Sequence, residues 1–421
     1  MSNGNFAEIT RRQFCRLSAA SLPAIAFGGG FFAHSAPPKQ NGKRDFDILI
    51  QGGTLIDPSQ NLHGKLDVAI ANGKIAAVAK DIPANQARKV ISAAGKIVCP
   101  GLIDIHAHVY EGVGLQGLSP DHGWLAQGVT TVVDAGSAGY TTIAGLRKYI
   151  GSTSQTRVHA LVDIGTLGLV AGISGTMENM AYVQPKETAE AVKSNKPFTV
   201  GVKVRLSKAV AGSQDMEGLR RTREAAEAAG VPMMVHIGDT YSPLRNILDQ
   251  MRKGDVLTHC FHPEPHGLLD GSGKILPEVL EARQRGIFFD VGHGSGHFGF
   301  DVAEQCLQQG FLPDTISSDL SARTLNGPVF DLLTTLSKFF SLGLRVDDVI
   351  KTATINAART FDFGLPLGTL RQGSEAEVAI LELRDGSFAF TDSLRKDRTA
   401  RQKLFPVQTI RAGKLFESPR G

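Results

Sequence analysis

The stretch Pro100-Gly101-Leu102-Ile103-Asp104-Ile105-His106-Ala107-His108 places two histidines one residue apart. The apolar run before it, Lys96-Ile97-Val98-Cys99, predicts a buried strand, which the Pro-Gly step interrupts before an extended run resumes. Because residues i and i+2 of a strand point to the same face, both imidazoles can reach one metal ion. Two ordinary surface or core histidines are the alternative, so the choice depends on the rest of the chain.

Four further side chains favour the metal interpretation. His236, His259 and Asp319 each come directly after a short apolar run, where a buried strand is expected to end. Lys203 lies inside the strand-like residues 198–205, in an apolar setting. A lysine is costly there unless it is paired or chemically changed. A deprotonated lysine can take up carbon dioxide and become a carbamate, which is an anionic ligand able to bridge two metals.

This ordered set of His-x-His, Lys, His, His and Asp resembles the ligand pattern of the amidohydrolase superfamily of metal-dependent hydrolases. The similarity extends over nearly the whole chain beyond the leader. The sequence motifs around the ligands are similar to those of the deacetylase branch of the superfamily, close to the dihydroorotases. These motifs are Gly-Leu-Ile-Asp-Ile-His-Ala-His-Val-Tyr (101–110), Gly-Val-Lys-Val-Arg (201–205), Asp-Val-Gly-His-Gly-Ser-Gly (290–296) and Ser-Ser-Asp-Leu (317–320).

The resemblance implies two divalent metal ions, with zinc expected. One ion would be held by His106, His108 and Asp319, and the other by His236 and His259. N6-carboxylated Lys203 and a hydroxide would bridge them.

The implied reaction is hydrolysis of an amide or ester acyl group by attack of the metal-bridging hydroxide. Asp319 is the implied catalytic residue, carrying the proton to the leaving group. The chain is therefore predicted to be a zinc-dependent hydrolase of carbon–nitrogen bonds other than peptide bonds.

Three further residues are candidates for substrate binding. Arg205 lies two residues beyond Lys203, so it shares that face, and a guanidinium there can bind a carboxylate in two places. This predicts a small acidic substrate, such as an N-acetyl amino acid or an acylated 2-hydroxy acid; a structural ion pair is the alternative. His293 and His297, in a glycine-rich loop after a predicted seventh strand, either contact the substrate or simply line the loop.

Two other functions compete with this prediction. Cyclic amide hydrolysis of the dihydroorotase or hydantoinase type would use the same metals with different substrate loops. A non-catalytic scaffold would keep the fold but typically lose ligands, and all six ligand positions are present here. Catalysis is therefore favoured over the scaffold.

The arrangement of apolar runs predicts an α/β chain with two structural parts. Residues 99–362 alternate strand-like and helical segments, including helices over 216–229 and 346–358, which predicts a (β/α)8 TIM-like barrel. A doubly wound open sheet is the alternative. Residues 44–98 and 363–421 read as short strands, and both ends resemble the split β-sandwich domain that accompanies the barrel in this superfamily. Separate small domains are the alternative.

Composition narrows the class of protein. The 421 residues carry a formal net charge of +4, and no basic stripe with interleaved aromatics is present, which argues against nucleic-acid binding. The four cysteines show no Cys-x-x-Cys spacing, and only three lie beyond the leader, so no disulfide framework is expected.

The first 35 residues are predicted to be an export signal. Thr10-Arg11-Arg12-Gln13-Phe14-Cys15-Arg16 resembles a twin-arginine motif, an apolar stretch follows, and Ala33-His34-Ser35 offers a cleavage site. A membrane anchor is the alternative. We therefore expect the twin-arginine export machinery as a partner, a periplasmic or secreted mature protein, and no stable membrane association after cleavage. Relatives of this kind commonly form homo-oligomers, although the sequence identifies no interface.

Overall fold

The structure, a computed structural model, describes residues 44–172 and 177–418. The predicted signal peptide and its cleavage site lie outside these residues. The strands are β1 Phe46–Gln51, β2 Thr54–Asp57, β3 Leu62–Lys65, β4 Asp67–Ala71, β5 Lys74–Ala79, β6 Ala87–Ser92, β7 Ile97–Pro100, β8 Leu102–Ala107, β9 Val129–Gly139, β10 Arg157–Asp163, β11 Thr199–Arg205, β12 Met233–His236, β13 Val256–Thr258, β14 Phe288–Asp290, β15 Val378–Thr391, β16 Asp397–Arg411 and β17 Lys414–Glu417.

The α-helices are α1 Pro120–Gly123, α2 Ile143–Leu146, α3 Pro185–Ser194, α4 Lys208–Ala211, α5 Asp215–Ala229, α6 Leu244–Gln250, α7 Pro277–Gln284, α8 Phe300–Gln308, α9 Leu332–Lys338, α10 Val346–Thr352 and α11 Ile355–Ala358. Short 3₁₀ turns occupy Ala84–Gln86, Leu125–Gln127, Gly168–Ala171, Met180–Tyr182 and Gly212–Gln214, and Arg147–Gly151 is a π-helical segment. Among the described residues, no helix has the length and apolar character needed to cross a bilayer.

Seven parallel strands, β8 to β14, form one sheet in sequence order. The segment after β14 connects the two edges of this sheet. Thr315 forms a parallel bridge with Asp290 at one edge, and Leu320 forms one with Ala107 at the other. Sequential order with linked edges is the arrangement of a TIM-like barrel, whereas a doubly wound sheet reverses its strand order. The α/β class is confirmed.

Strands from both chain ends share a six-stranded sheet of order β17-β16-β15-β7-β2-β3, and β5-β4-β1-β6 form a second sheet. One apolar cluster contains side chains from both sheets, including Ile50 and Val68 of one and Val98 and Ile380 of the other. Pairing of the two ends therefore does occur. The predicted domain bounds at 98/99 and 362/363 stay a prediction.

Two helices show where sequence patterns succeed and fail. The helix predicted over 216–229 is observed as α5, and Gly230 ends it in the left-handed conformation with φ 63°. The helix predicted over 346–358 is wrong as one piece, because α10 and α11 are separated at Thr354. The hydroxyls of Thr352 and Thr354 donate to the carbonyls of Val349 and Ile350, which competes with helix continuation.

Candidate metal centre

The six predicted ligands gather at one end of the parallel strands. His106 lies near the end of β8 and His108 just beyond it, Lys203 lies in β11, and His236 ends β12. His259 directly follows β13, and Asp319 belongs to the segment that connects the sheet edges. The C-terminal ends of parallel barrel strands meet at one face, which is where such folds place their active sites.

His106, His108 and Asp319 form a first group, whose possible ligand atoms all lie within 4.8 Å of one another. Asp319 Oδ1 is 3.1 Å from His108 Nε2 and 3.5 Å from His106 Nε2. The opposite nitrogens are occupied, because His106 Nδ1 contacts Thr258 Oγ1 at 2.9 Å and His108 Nδ1 contacts Ser137 Oγ at 3.0 Å. Both Nε2 atoms are thereby directed at the same point.

Two buried carboxylates, Asp290 and Asp104, form hydrogen bonds with residues that position this first group. Asp290 accepts the Thr258 hydroxyl at 2.7 Å, along with those of Thr315 and Ser317. Asp104 accepts the Trp124 indole N–H at 2.8 Å and the Ser318 backbone N–H at 3.0 Å, one residue before Asp319. Burial raises the pKa of Asp104 to about 6 and raises that of Asp290. Partners of this kind set the orientation of metal-binding histidines.

His236, His259 and His297 form a second group. His259 Nε2 is 2.8 Å from His236 Nδ1, and the His297 ring lies 4.2 Å from the His259 ring, centre to centre. Ser207 Oγ holds His236 Nε2 at 3.0 Å, and the Gly292 carbonyl accepts from His259 Nδ1. Burial lowers the pKa of His236 and His259 well below the usual value and also lowers that of His297. Burial thus favours the neutral form of the three rings, which is the metal-binding form.

Lys203 is fully buried beside the first group, with Nζ 3.2 Å from His106 Nε2 and 3.3 Å from Met234 Sδ. Burial, reinforced by the nearby Arg205 charge, lowers its pKa to about 7. Among the described residues, no carboxylate lies within 4 Å of Nζ. The structure thus places next to the histidines a buried lysine whose Nζ contacts no carboxylate of the described chain.

The backbone near the ligands is unusual. His259 and Asp319 have φ of 70° and 48°, values that L-residues other than glycine rarely adopt. Gly294 also has a positive φ, and a Cβ there would lie 2.3 Å from Asp319 Oδ2. The Gly292-His293-Gly294 sequence therefore permits the close approach of this loop to Asp319.

The predicted substrate residues have three different placements. Arg205 lines the cavity above the ligands, but its guanidinium donates to Asp163 Oδ2 at 2.6 Å and to the Ala135 carbonyl at 3.1 Å. The ion pair weighed as the alternative is thus present. His297 lines the cavity as part of the second group. His293 is not brought to the cavity wall, because its Nε2 is bonded to the buried Lys338 at 2.6 Å.

The cavity has a volume of about 330 Å³. Sequence reasoning missed Arg323, an exposed guanidinium that lines this cavity and has no ion-pair or hydrogen-bond partner among the described residues. It also missed the second-group position of His297 and the supporting hydroxyls of Thr258 and Ser207. The sequence did contain a signal that Arg323 lies near the site, because it stands four residues after Asp319 in the same loop.

Residues 97–415 match the Amidohydrolase family. The chain belongs to this family. A deacetylase from Enterococcus faecalis is 34% identical over 378 residues, which cover 89% of this chain and 100% of that protein. A solved adenine deaminase has 34% identity and a TM-score of 0.83, and a solved dihydroorotase has 30% identity and a TM-score of 0.81. Each of these two comparisons covers 89% of this chain and 100% of the other.

Family membership confirms the predicted resemblance and the predicted enzyme class, a hydrolase of carbon–nitrogen bonds other than peptide bonds. Members of this family generally use a divalent metal, and the residues present fit one. The fit rests on imidazoles whose outer nitrogens are held by hydrogen bonds, on the Asp319 carboxylate, and on the buried Nδ1 of His297, which has no partner among the described residues.

Proposed function

We propose that this amidohydrolase removes an acyl group from a small carboxylate-bearing substrate, such as an N-acetyl amino acid or an acylated 2-hydroxy acid, with two zinc ions. The observation that supports this proposal is the position of Lys203, which lies beside one of the two ligand groups and has no carboxylate within 4 Å of Nζ among the described residues. In this proposal His106, His108 and Asp319 hold one ion, and His236 and His259 hold the other. When bound, the pair polarises the acyl carbonyl and lowers the pKa of a water.

Lys203 would bridge the two groups as N6-carboxylysine. Its neutral amine nitrogen bonds to the carbon of carbon dioxide, and the displaced N–H proton leaves to solvent. The lowered pKa, about 7, supports this step because a large fraction of the amine is unprotonated near neutral pH.

Asp319 is the proposed proton carrier. Its carboxylate lines the cavity, next to both histidines of the first group. In the reaction, the oxygen of water bonds to the acyl carbon and the bond from that carbon to the leaving nitrogen or oxygen breaks. Asp319 accepts the proton of the water and delivers it to the leaving atom.

We assign recognition of the substrate carboxylate to Arg323, with Arg205 as a neutralised neighbour. Asp163 compensates the Arg205 charge at 2.6 Å, whereas the Arg323 guanidinium on the cavity wall has no ion-pair partner among the described residues. Arg323→Met should raise KM for a carboxylate substrate and leave KM for its neutral amide analogue unchanged. Glu264→Gln is the matched control, since it alters another charged residue of the same wall.

The first test is zinc content of the purified protein and of a Lys203→Ala variant. About two zinc ions per chain, falling sharply in the variant, would support the proposal; one ion, unchanged in the variant, would overturn the bridged pair. The protein should then turn over N-acetyl and O-acetyl acids faster than dihydroorotate, hydantoins or adenine.

Cyclic amide hydrolysis is the second candidate, favoured by the 30% identical dihydroorotase structure. Dihydroorotate and hydantoins therefore belong in the same assay, as does adenine because of the adenine deaminase structure. Preference for any of these over acylated acids would replace the first proposal.

Location and partners are proposals from the sequence. We infer that the twin-arginine machinery exports the protein to the periplasm or beyond, because of Arg11-Arg12 and the apolar stretch after them. An Arg11→Lys, Arg12→Lys double variant should remain in the cytoplasm. Homo-oligomerisation, inferred from relatives, is tested by the mass of the mature protein in solution.

A further inference from the structure

His297 lies in a loop that lacks regular structure. Residues 291–299, called here the His297 loop, connect β14 to α8. Four of these nine residues are glycines, which lose more conformational freedom on folding than other residues. Something outside the loop must therefore hold the His297 ring against the rings of His236 and His259.

The far end of the β15–β16 hairpin contacts this loop directly. Ser393 donates its backbone N–H to the Phe298 carbonyl at 3.0 Å, and the Phe298 N–H donates to Ser393 Oγ at 3.2 Å. Asp392 Oδ2 accepts the Phe300 N–H at 3.0 Å. These contacts join the residue after His297 to a part of the chain about 95 residues away.

Lys338, the last residue of α9, makes the second set of contacts and is fully buried. Its Nζ contacts His293 Nε2 at 2.6 Å and donates to the carbonyls of Thr391 at 2.7 Å and Pro328 at 2.9 Å. His293 Nδ1 faces the Gly294 carbonyl at 2.9 Å and must donate to it, so Nε2 is left as an acceptor. The Nζ of Lys338 thus meets three acceptors.

The two sets of contacts act on the same segment. The His293 ring stacks on Phe298, centre to centre 4.7 Å, and Thr391 belongs to the same hairpin end as Asp392 and Ser393. A buried amine is costly unless its hydrogen bonds are satisfied, and this one joins groups from the His297 loop, the hairpin and the Pro328 turn.

We propose that Lys338 and Ser393 are positioning residues that hold His297 beside His236 and His259. The inference rests on the proposed function in one respect, namely that the second histidine group binds zinc. His297 contributes to the affinity for zinc, and the two positioning residues contribute through His297.

The experiment measures the affinity of the metal-free full chain for Zn²⁺ by competition with a chelating indicator. Lys338→Met should weaken binding about 10-fold, the scale for groups that orient metal-binding residues, and Ser393→Ala should weaken it less. In a His297→Ala background neither change should weaken binding further, because the residue through which they act is gone. Undiminished losses in that background, or no loss in either single variant, would overturn the proposal.

The matched control is Asp57→Asn. Asp57 is also a buried residue joining distant parts of the chain, since it accepts the Leu370 N–H at 2.7 Å, but none of its hydrogen bonds within the described chain reaches the His297 loop. It should lower the melting temperature and leave zinc affinity unchanged. Ser393→Ala removes one side-chain hydroxyl, so it provides the test if Lys338→Met does not fold.

Amide hydrogen exchange of residues 291–299 in the metal-free protein separates this inference from the proposed function. Exchange should accelerate in Lys338→Met and Ser393→Ala but not in Asp57→Asn. A wild-type protein that binds no zinc would refute the proposed function while the exchange result still decides whether the loop is held. Unchanged exchange in both variants would refute the positioning role.

Discussion

The two histidine groups are built differently. In the first group, two ligands come from one strand and its end, and each outer nitrogen is held by a side-chain hydroxyl, Thr258 for His106 and Ser137 for His108. In the second group, three histidines come from three separate segments, and His297 Nδ1 has no partner within the described chain.

Strand geometry aligns the pair His106 and His108, whereas the position of His297 depends on long-range contacts alone. The spacing of two residues across the end of β8 points His106 and His108 the same way once the strand forms. The placement of His297 depends on how a glycine-rich loop is held by Lys338 and the hairpin end. Substitutions in the first group should therefore have the larger effects.

Asp319→Asn should have the largest effect on catalysis. The amide keeps a coordinating oxygen but cannot accept the proton of the attacking water, so we expect kcat to fall by about 10²–10⁴-fold. Steady-state kinetics with zinc content measured on the same samples checks this. Near-normal kcat at full zinc occupancy would show that another group carries the proton.

Removal of one imidazole from each group should show in which group a single histidine contributes more to zinc affinity. His106→Ala should weaken zinc binding by more than about 100-fold, beyond the range seen for groups that only orient ligands, whereas His297→Ala should cost about 10-fold. Competition with a chelating indicator measures both. Equal losses would show that the second group depends on His297 as fully as the first depends on His106.

The sequence could predict that His106 and His108 face the same way because side chains of a strand have a fixed period, and its resemblance to the amidohydrolase superfamily implied the other four ligands. It also placed Arg205 on the Lys203 face, but nothing local to Arg205 indicates Asp163, 42 residues away, as its partner. The environment of His297 escaped prediction because it depends on positive φ angles at Gly292 and Gly294 and on residues up to 95 positions away. The periodic pattern of apolar and polar residues along a strand or helix does not contain such information.

Orientation of the ligands should matter more in the first group than in the second. Thr258→Val removes the hydroxyl that connects His106 to Asp290, and we expect zinc affinity to fall about 10-fold or more. Ser207→Ala removes only one contact of His236, whose ring is also held by His259, so its loss should be a few-fold. A larger effect of Ser207→Ala would reverse the comparison.

Substitution of a buried histidine outside both groups should have the smallest effect on activity, and it isolates the cost of burying an imidazole. His159 in β10 faces the Pro197 carbonyl at 3.0 Å, and burial lowers its pKa from 6.5 to about 4. Between these values the unfolded chain binds a proton that the folded chain does not, so the free energy of unfolding falls as pH drops from 6.5 to about 4, by roughly 1.4 kcal/mol per pH unit and at most about 3 kcal/mol. His159→Gln should remove this acid sensitivity and leave kcat at pH 7 unchanged. Urea unfolding of both metal-free proteins at pH 7 and pH 4.5 measures the difference, and identical pH dependence in the two would show that His159 titrates normally in the folded chain.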